Sequence, residues 1–90
     1  MTLNQAIGIS IKLARQSQGL SQEEIGASQS FVSDIERGKK SMTIQRLEEF
    51  ANRLGLQPAS LMIQASLIAD PKLSLDNLLD VVRKDMSRNI

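Results

Sequence analysis

The sequence has 90 residues and no cysteine, histidine, tryptophan or tyrosine, so a zinc site, a haem ligand set, a cysteine nucleophile and a disulfide-stapled fold all lack their side chains. The apolar fraction of 41% fits one small folded domain, and the scarcity of aromatics, Phe31 and Phe50, fits helices better than sheets. Eleven basic against ten acidic residues leave a net charge of +1, so a nucleic-acid surface would have to be a local patch.

Punctuation divides the chain into six predicted helices. Ile7, Ile11 and Ala14 recur at helical spacing, with Leu3 one turn earlier, and Gly19 stops the segment; the first helix runs from about Asn4 to Ser17. Ser21-Gln22-Glu23-Glu24 reads as a capping box that opens a second helix, kept very short by Gly26 and Ser28. Ser28 or Gln29 opens a third, with Val32 and Ile35 inward and Gly38 at its end. Thr43 caps a fourth, whose stripe is Ile44, Leu47, Phe50, Ala51 and Leu54, and Gly55 ends it. Pro58 suits the first turn of a fifth, which runs to about Ile68 before Pro71 forces a break. Ser74 caps a sixth, with Leu75, Leu78, Leu79, Val82 and Met86 on one face. Sustained period-two alternation is missing. The expected fold is all-α: a compact bundle of five short helices with a sixth at the C-terminus.

The longest apolar stretch, Leu61-Met62-Ile63, is far too short to span a membrane, and the N-terminus lacks a secretory signal pattern. A cytoplasmic location follows as the expectation. No acidic loop of the kind calcium needs is visible, and neither metal nor cofactor is expected. The serines have no visible base and the carboxylates lie on amphipathic helices, so the sequence does not read as an enzyme.

The segment Gly19-Leu20-Ser21-Gln22-Glu23-Glu24-Ile25, then Ser28-Gln29-Ser30-Phe31-Val32-Ser33-Asp34-Ile35-Glu36-Arg37-Gly38-Lys39-Lys40, resembles the phage-repressor/Cro type of helix-turn-helix transcription regulator, the XRE family. Leu47, Ala51, Leu54 and Gly55 match the next helix of that family, and the resemblance covers roughly residues 3–62. One departure stands out. About four residues fewer than usual separate Glu23-Glu24-Ile25 from the third helix, close to one helical turn of about 3.6 residues. Ile25 then stays inward, while the phosphate contact of Gln22 is put in question.

The resemblance implies that the third helix lies in the major groove of double-stranded DNA, with side chains near its N-terminus on base edges. Gln29, Ser30, Phe31, Ser33 and Asp34 are the candidate base readers. A Gln amide matches adenine N6 and N7, Phe31 suits a thymine methyl, and Asp34 can accept from a cytosine amine. If Phe31 turns inward, it is simply core. Candidate phosphate contacts are Ser21, Gln22, Arg37, Lys39, Lys40, Ser41 and Thr43, with Arg46 a little further on. Residues 37–46 hold four basic side chains and no acidic one, although Lys39 and Lys40 also suit a solvated turn and Thr43 a simple cap. The resemblance further implies an ion pair between Arg15 and Glu36 that ties the first helix to the reading helix.

The C-terminal half points to association. The fifth and sixth helices carry more apolar surface than short helices in one chain can cover. Residues 1–69 are expected to form the DNA-binding domain and residues 70–90 a dimerisation element. Leu61, Met62, Ala65, Ile68, Leu75, Leu78, Leu79 and Val82 are the candidate interface residues. A homodimer on palindromic operator DNA is the leading expectation. The alternatives are the antitoxin of a toxin–antitoxin pair, with a partner protein on its tail, and a helical interaction module that no longer reads DNA.

Overall fold

In a computed structural model the described residues, 1–89, form five α-helices: α1 (Leu3–Ser17), α2 (Gln29–Glu36), α3 (Ile44–Leu54), α4 (Pro58–Ala69) and α5 (Leu75–Asn89). A single 3-10 turn, Gln22–Ile25, sits between α1 and α2. The fold is all-α, but the second of the six expected helices is this one turn. With the chain about four residues short there, an α-helical hydrogen-bond ladder has no length in which to establish itself.

The helices start where side chains can take the first free amides. Thr2 Oγ1 accepts from the Gln5 amide at 3.1 Å and Gln5 Oε1 takes the Thr2 amide at 2.8 Å, a reciprocal cap on α1. Ser28 caps α2 through the Phe31 amide at 3.3 Å, Thr43 caps α3 through the Arg46 amide at 3.1 Å, and Ser74 accepts from the Asn77 amide at 3.1 Å at the start of α5. Pro58 occupies the first turn of α4, where its missing N–H costs nothing. After the 3-10 turn the chain reverses through Gly26 at φ +95°, a left-handed conformation that strains residues bearing a Cβ.

The core joins Ala6, Ile7 and Ile11 of α1, Ile25, Val32 and Ile35, Leu47, Phe50, Ala51 and Leu54 of α3, and Leu61 and Ala65 of α4. Phe50 is fully buried, a burial of about 2–3 kcal/mol in transfer terms. Two expected core positions fall outside. Leu3 is 45% exposed and Ile44 is 84% exposed, because each opens its helix in a first turn that overhangs the edge of the core. Helix α4 packs mainly along α1. There the buried Ser10 hydroxyl lies 3.1 Å from the Leu61 carbonyl and 2.6 Å from Gln64 Oε1, so the one polar group in that seam is satisfied.

Helix α5 behaves differently: it contacts α4 and buries none of its described residues. The molecule is 40 Å long against 24 and 22 Å across, and its radius of gyration of 13.6 Å exceeds the roughly 12 Å of a compact chain this size. Among the described residues no helix is long and apolar enough to cross a membrane.

Helix α1 meets the end of α2 at Gly8. A Cβ at this position would collide with the Ile35 carbonyl oxygen and crowd that of Glu36. The obstacle is backbone, so relief requires the two helices to separate. Overpacking costs about 1–3 kcal/mol, and a collision with backbone falls at the upper end, about 2–3 kcal/mol, against a gain of about 1 kcal/mol for alanine over glycine in a helix. Gly8→Ala is expected to lower unfolding free energy in urea by about 1–2 kcal/mol; a neutral or stabilised variant would show that the close approach is not there.

Candidate nucleic-acid interface

Helix α2 is short, and its periodicity divides it cleanly. Val32 and Ile35 point into the core, which leaves Gln29 and Ser30 exposed at its N-terminal end and Ser33 and Asp34 half-buried. Phe31 is also half-buried. Its ring lies 6.5 Å from that of Phe50, tilted at 51°, and packs against the core. The outer side is taken as well, with Lys40 Nζ at 5.1 Å and Arg46 Cζ at 4.6 Å from the ring centre. Phe31 is therefore a platform for two cations more than a free reader, since a thymine methyl would have to compete with them. Asp34 is engaged too, at 3.4 Å from Arg37 and 3.8 Å from Lys40.

The C-terminal end of α2 is tied down through Glu36. Arg15 Nε donates to Glu36 Oε2 at 2.7 Å and Arg15 Nη2 donates to Oε1 at 3.1 Å, a bidentate pair with only 11% and 2% of the two side chains exposed. Arg15 Nη1 also donates to the Leu20 carbonyl at 2.8 Å, and Gln22 Nε2 donates to Glu36 Oε1 at 3.0 Å. The hydrogen bond to Glu36 raises the Arg15 pKa above its ordinary value, against the opposing pull of burial. Helix α1 and the 3-10 turn thus converge on the one carboxylate that ends α2, and Arg15 also holds the loop after α1.

That convergence costs the 3-10 turn part of its expected role. The Gln22 amide reaches inward to Glu36, not outward to a phosphate. The Ser21 amide is taken by Glu24 Oε1 at 2.9 Å, and Glu23 and Glu24 place two carboxylates in the turn itself. The Ser21 hydroxyl, on this exposed residue, is shared with Glu24 in the same cap. Shortening pulled the turn against α2, and Gln22 followed.

The basic cluster is better placed. Arg37, Lys39, Lys40 and Ser41 are exposed on the loop after α2, and Thr43 is exposed at the head of α3. The Thr43 hydroxyl oxygen already accepts from Arg46, so its first duty is the cap. Sequence reasoning missed the residue that holds this loop. Asn4 Oδ1 accepts from the Met42 amide at 2.9 Å and Asn4 Nδ2 donates to the Lys40 carbonyl at 3.3 Å, which pins the loop to α1. Asn4 lies 36 and 38 residues from those partners, and no local pattern announces such a contact.

The expected dimerisation residues separate into two groups. Leu61 and Ala65, at 1% and 0% exposure, are consumed by the chain's own core and have no surface to offer a second copy. Met62 and Ile68 are half-buried against that core. Leu75, at 48% exposure, with half-buried Leu78, Leu79 and Val82, remains on the open side of α5.

Comparison with known proteins agrees with this architecture. The profile of a family described as helix-turn-helix matches residues 11–61. A protein of Sinorhizobium fredii, an uncharacterized HTH-type transcriptional regulator named y4dJ, is 33% identical over 66 residues, which span 69% of this chain and 86% of the relative. A crystal structure of the clp gene regulator ClgR from Corynebacterium glutamicum superposes with a TM-score of 0.70 at 26% identity, over 73% of this chain and 91% of that one. A second ClgR structure, at 23% identity and TM-score 0.70, covers 98% of this chain and 89% of that one. At that identity it speaks for the fold alone, but the likeness of fold extends along α5. The chain belongs to the helix-turn-helix family, in its XRE-type branch of transcriptional regulators.

Two measurements test the electrostatics. Arg15→Met leaves the Glu36 carboxylate buried without its cation and is expected to cost about 3–5 kcal/mol in urea unfolding, while Arg15→Met with Glu36→Leu recovers much of the loss. A single-variant cost below about 1 kcal/mol would mean that the pair is not the buried one described. Glu24 is held below the ordinary carboxylate value by the hydrogen bonds from Ser21, the backbone one foremost. The sign follows: this contribution is complete above the ordinary value of about 4.3 and is lost as pH falls through the lowered one. Carbon-detected NMR titration of Glu24 reads it, and Ser21→Pro, which removes the backbone donor, is expected to return the midpoint towards 4.3.

Proposed function

We propose that the protein is a homodimeric, sequence-specific DNA-binding regulator of transcription that acts on palindromic operator DNA. Residues 1–69 carry the DNA-binding unit and residues 70–90 the association element. Helix α2 enters the major groove with Gln29 and Ser30 on base edges, and Ser33 and Asp34 further along the groove wall. Arg37, Lys39, Lys40 and Ser41 contact phosphates, with Arg46 and Thr43 beside them and Ser21 on the opposite flank. The observation that carries the reading is an outward, uncommitted N-terminal face on a helix whose other end is locked by Glu36 and followed at once by a basic loop. A two-fold dimer would set the two reading helices about 34 Å apart, one turn of DNA. No catalytic role is assigned to any residue.

A second reading has one observation in its favour. The open apolar face of α5 would also accept a partner protein, as in the antitoxin of a toxin–antitoxin pair or in an interaction module that has lost DNA reading.

Selection of bound duplexes from a random pool at near-physiological salt decides between them. A palindrome with half-sites about one turn apart is expected; a folded protein that recovers no motif would overturn the operator reading. Given the operator, Gln29→Ala is expected to relax preference at one base position in each half-site, a change of about 1–3 kcal/mol in discrimination. Lys40→Ala is expected to weaken all sequences alike and reduce the salt slope by about one per half-site. Equal effects of both changes on every sequence would remove Gln29 from the readers.

A further inference from the structure

Helix α5 carries an unclaimed apolar stripe of unusual regularity. Leu75, Leu79, Val82 and Met86 follow one another at intervals of four, three and four residues, the repeat of a helix seam that packs on another helix. The stripe is open at its ends, with Leu75 48% and Met86 53% exposed, while Leu79 and Val82 between them are half-buried and no described residue of α5 is fully buried. What lies along its edges identifies the occupant.

Charge on α5 is segregated by halves. Residues 75–82 contain Asp76 and Asp80 and no basic residue, whereas residues 83–89 contain Arg83, Lys84 and Arg88 with Asp85 as the sole acid. The helix is therefore negative in its first half and positive in its second. An antiparallel copy sets each acidic half against a basic half; a parallel copy sets like against like. The flanks sharpen the choice. Asp76 follows Leu75 and Arg83 follows Val82, so the two lie on the same edge of the stripe. In an antiparallel pair like edges meet, and with Leu79 layered on Val82 of the second copy, Leu75 meets its Met86 and Asp76 comes beside its Arg83, twice by symmetry. In a parallel pair this edge faces that of Leu78 and Asp85, where Arg83 lies opposite Leu78 and the two symmetric pairs are lost. Among the described residues Arg83 bonds Asp80 at 3.0 Å, with 71% and 65% of the two side chains exposed, an exposed pair in which the guanidinium can share a second carboxylate.

We propose that α5 is the self-association surface of the chain and pairs antiparallel with α5 of a second copy, its register fixed by two symmetric Asp76–Arg83 ion pairs across the seam. This rests on the homodimer reading above and gives it an orientation and a register. The two-fold axis passes through the middle of α5, between Leu79 and Val82. Both charged residues are exposed in the single chain, so they select the partner's direction without being needed for the fold of the domain.

Charge exchange tests the proposal by sedimentation equilibrium, with circular dichroism to confirm unchanged helicity. Asp76→Arg and Arg83→Asp each replace two attractions by two repulsions and are expected to raise the dimer dissociation constant about tenfold. The doubly exchanged chain is expected to return close to the original constant. A mixture of the two single variants is expected to associate more tightly than either alone, because every cross-pair is again of opposite sign. A dimeric protein indifferent to all four arrangements would overturn the antiparallel register and leave the homodimer standing. A wild-type chain that sediments as a monomer at every concentration would overturn the homodimer reading, and the register with it.

Discussion

The orientation of α2 depends on a buried carboxylate. Glu36 ends α2, and its two oxygens accept three donors from two other parts of the chain: two from Arg15 and one from Gln22. Two residues of the same helix end, Ile35 and Glu36, also face Gly8, where backbone meets backbone with no room for a methyl group. One constraint is electrostatic and directional, the other steric. Together they fix both the rotation of α2 about its axis and its distance from α1. A buried ion pair adds little net stability once desolvation is counted, but it penalises every arrangement that leaves one charge unpartnered. Its value here lies in selecting a single pose for an eight-residue helix that could not hold one through its own burial.

From that pose the division of labour follows. The 3-10 turn is a single turn, and its polar side chains are spent on Glu36 and on its own cap. The basic charge lies on the other side of α2, where residues 37–46 hold four basic side chains and no acidic one. Phe31 organises that side. Its ring rests on the core and carries Lys40 and Arg46 on its outer face, so two long cationic side chains are partly ordered by it. Asn4 does for the loop backbone what Phe31 does for the side chains.

Much of this was readable in the sequence for a local reason. Caps, glycine stops and apolar spacing act within about one turn, so Thr43, Ser28, Pro58 and Gly55 announce their elements directly. The family pattern added the pairing of Arg15 with Glu36, which no local rule supplies. Features that span long separations stayed hidden. Nothing near Gly8 in the sequence signals its contact with Ile35, nor anything near Asn4 its bonds to Lys40 and Met42. Periodicity also ran past the facts at the ends of elements. Ile44 has the correct spacing but no neighbour to cover it, and Leu61 and Ala65 looked like spare apolar surface because α1 had not yet been laid across them. A period shows which residues share a face and is silent on what that face meets.

The two outward surfaces obey opposite electrostatic rules. The charged residues from Arg37 to Arg46 are all basic, and Asp34 beside Arg37 and Lys40 and Glu49 beside Arg46 answer only part of that charge, so a positive excess remains to attract a polyanion. Helix α5 has balanced charge, segregated into an acidic and a basic half, an arrangement that repels neither DNA nor protein strongly but complements its own reversal. A net charge of +1 arises because the acidic excess elsewhere in the chain offsets most of the basic run, while α5 contributes nothing. For that reason the whole-chain balance is uninformative here, while the charge read element by element, on helices whose exposed faces are known, separates a basic surface from a charge-balanced one.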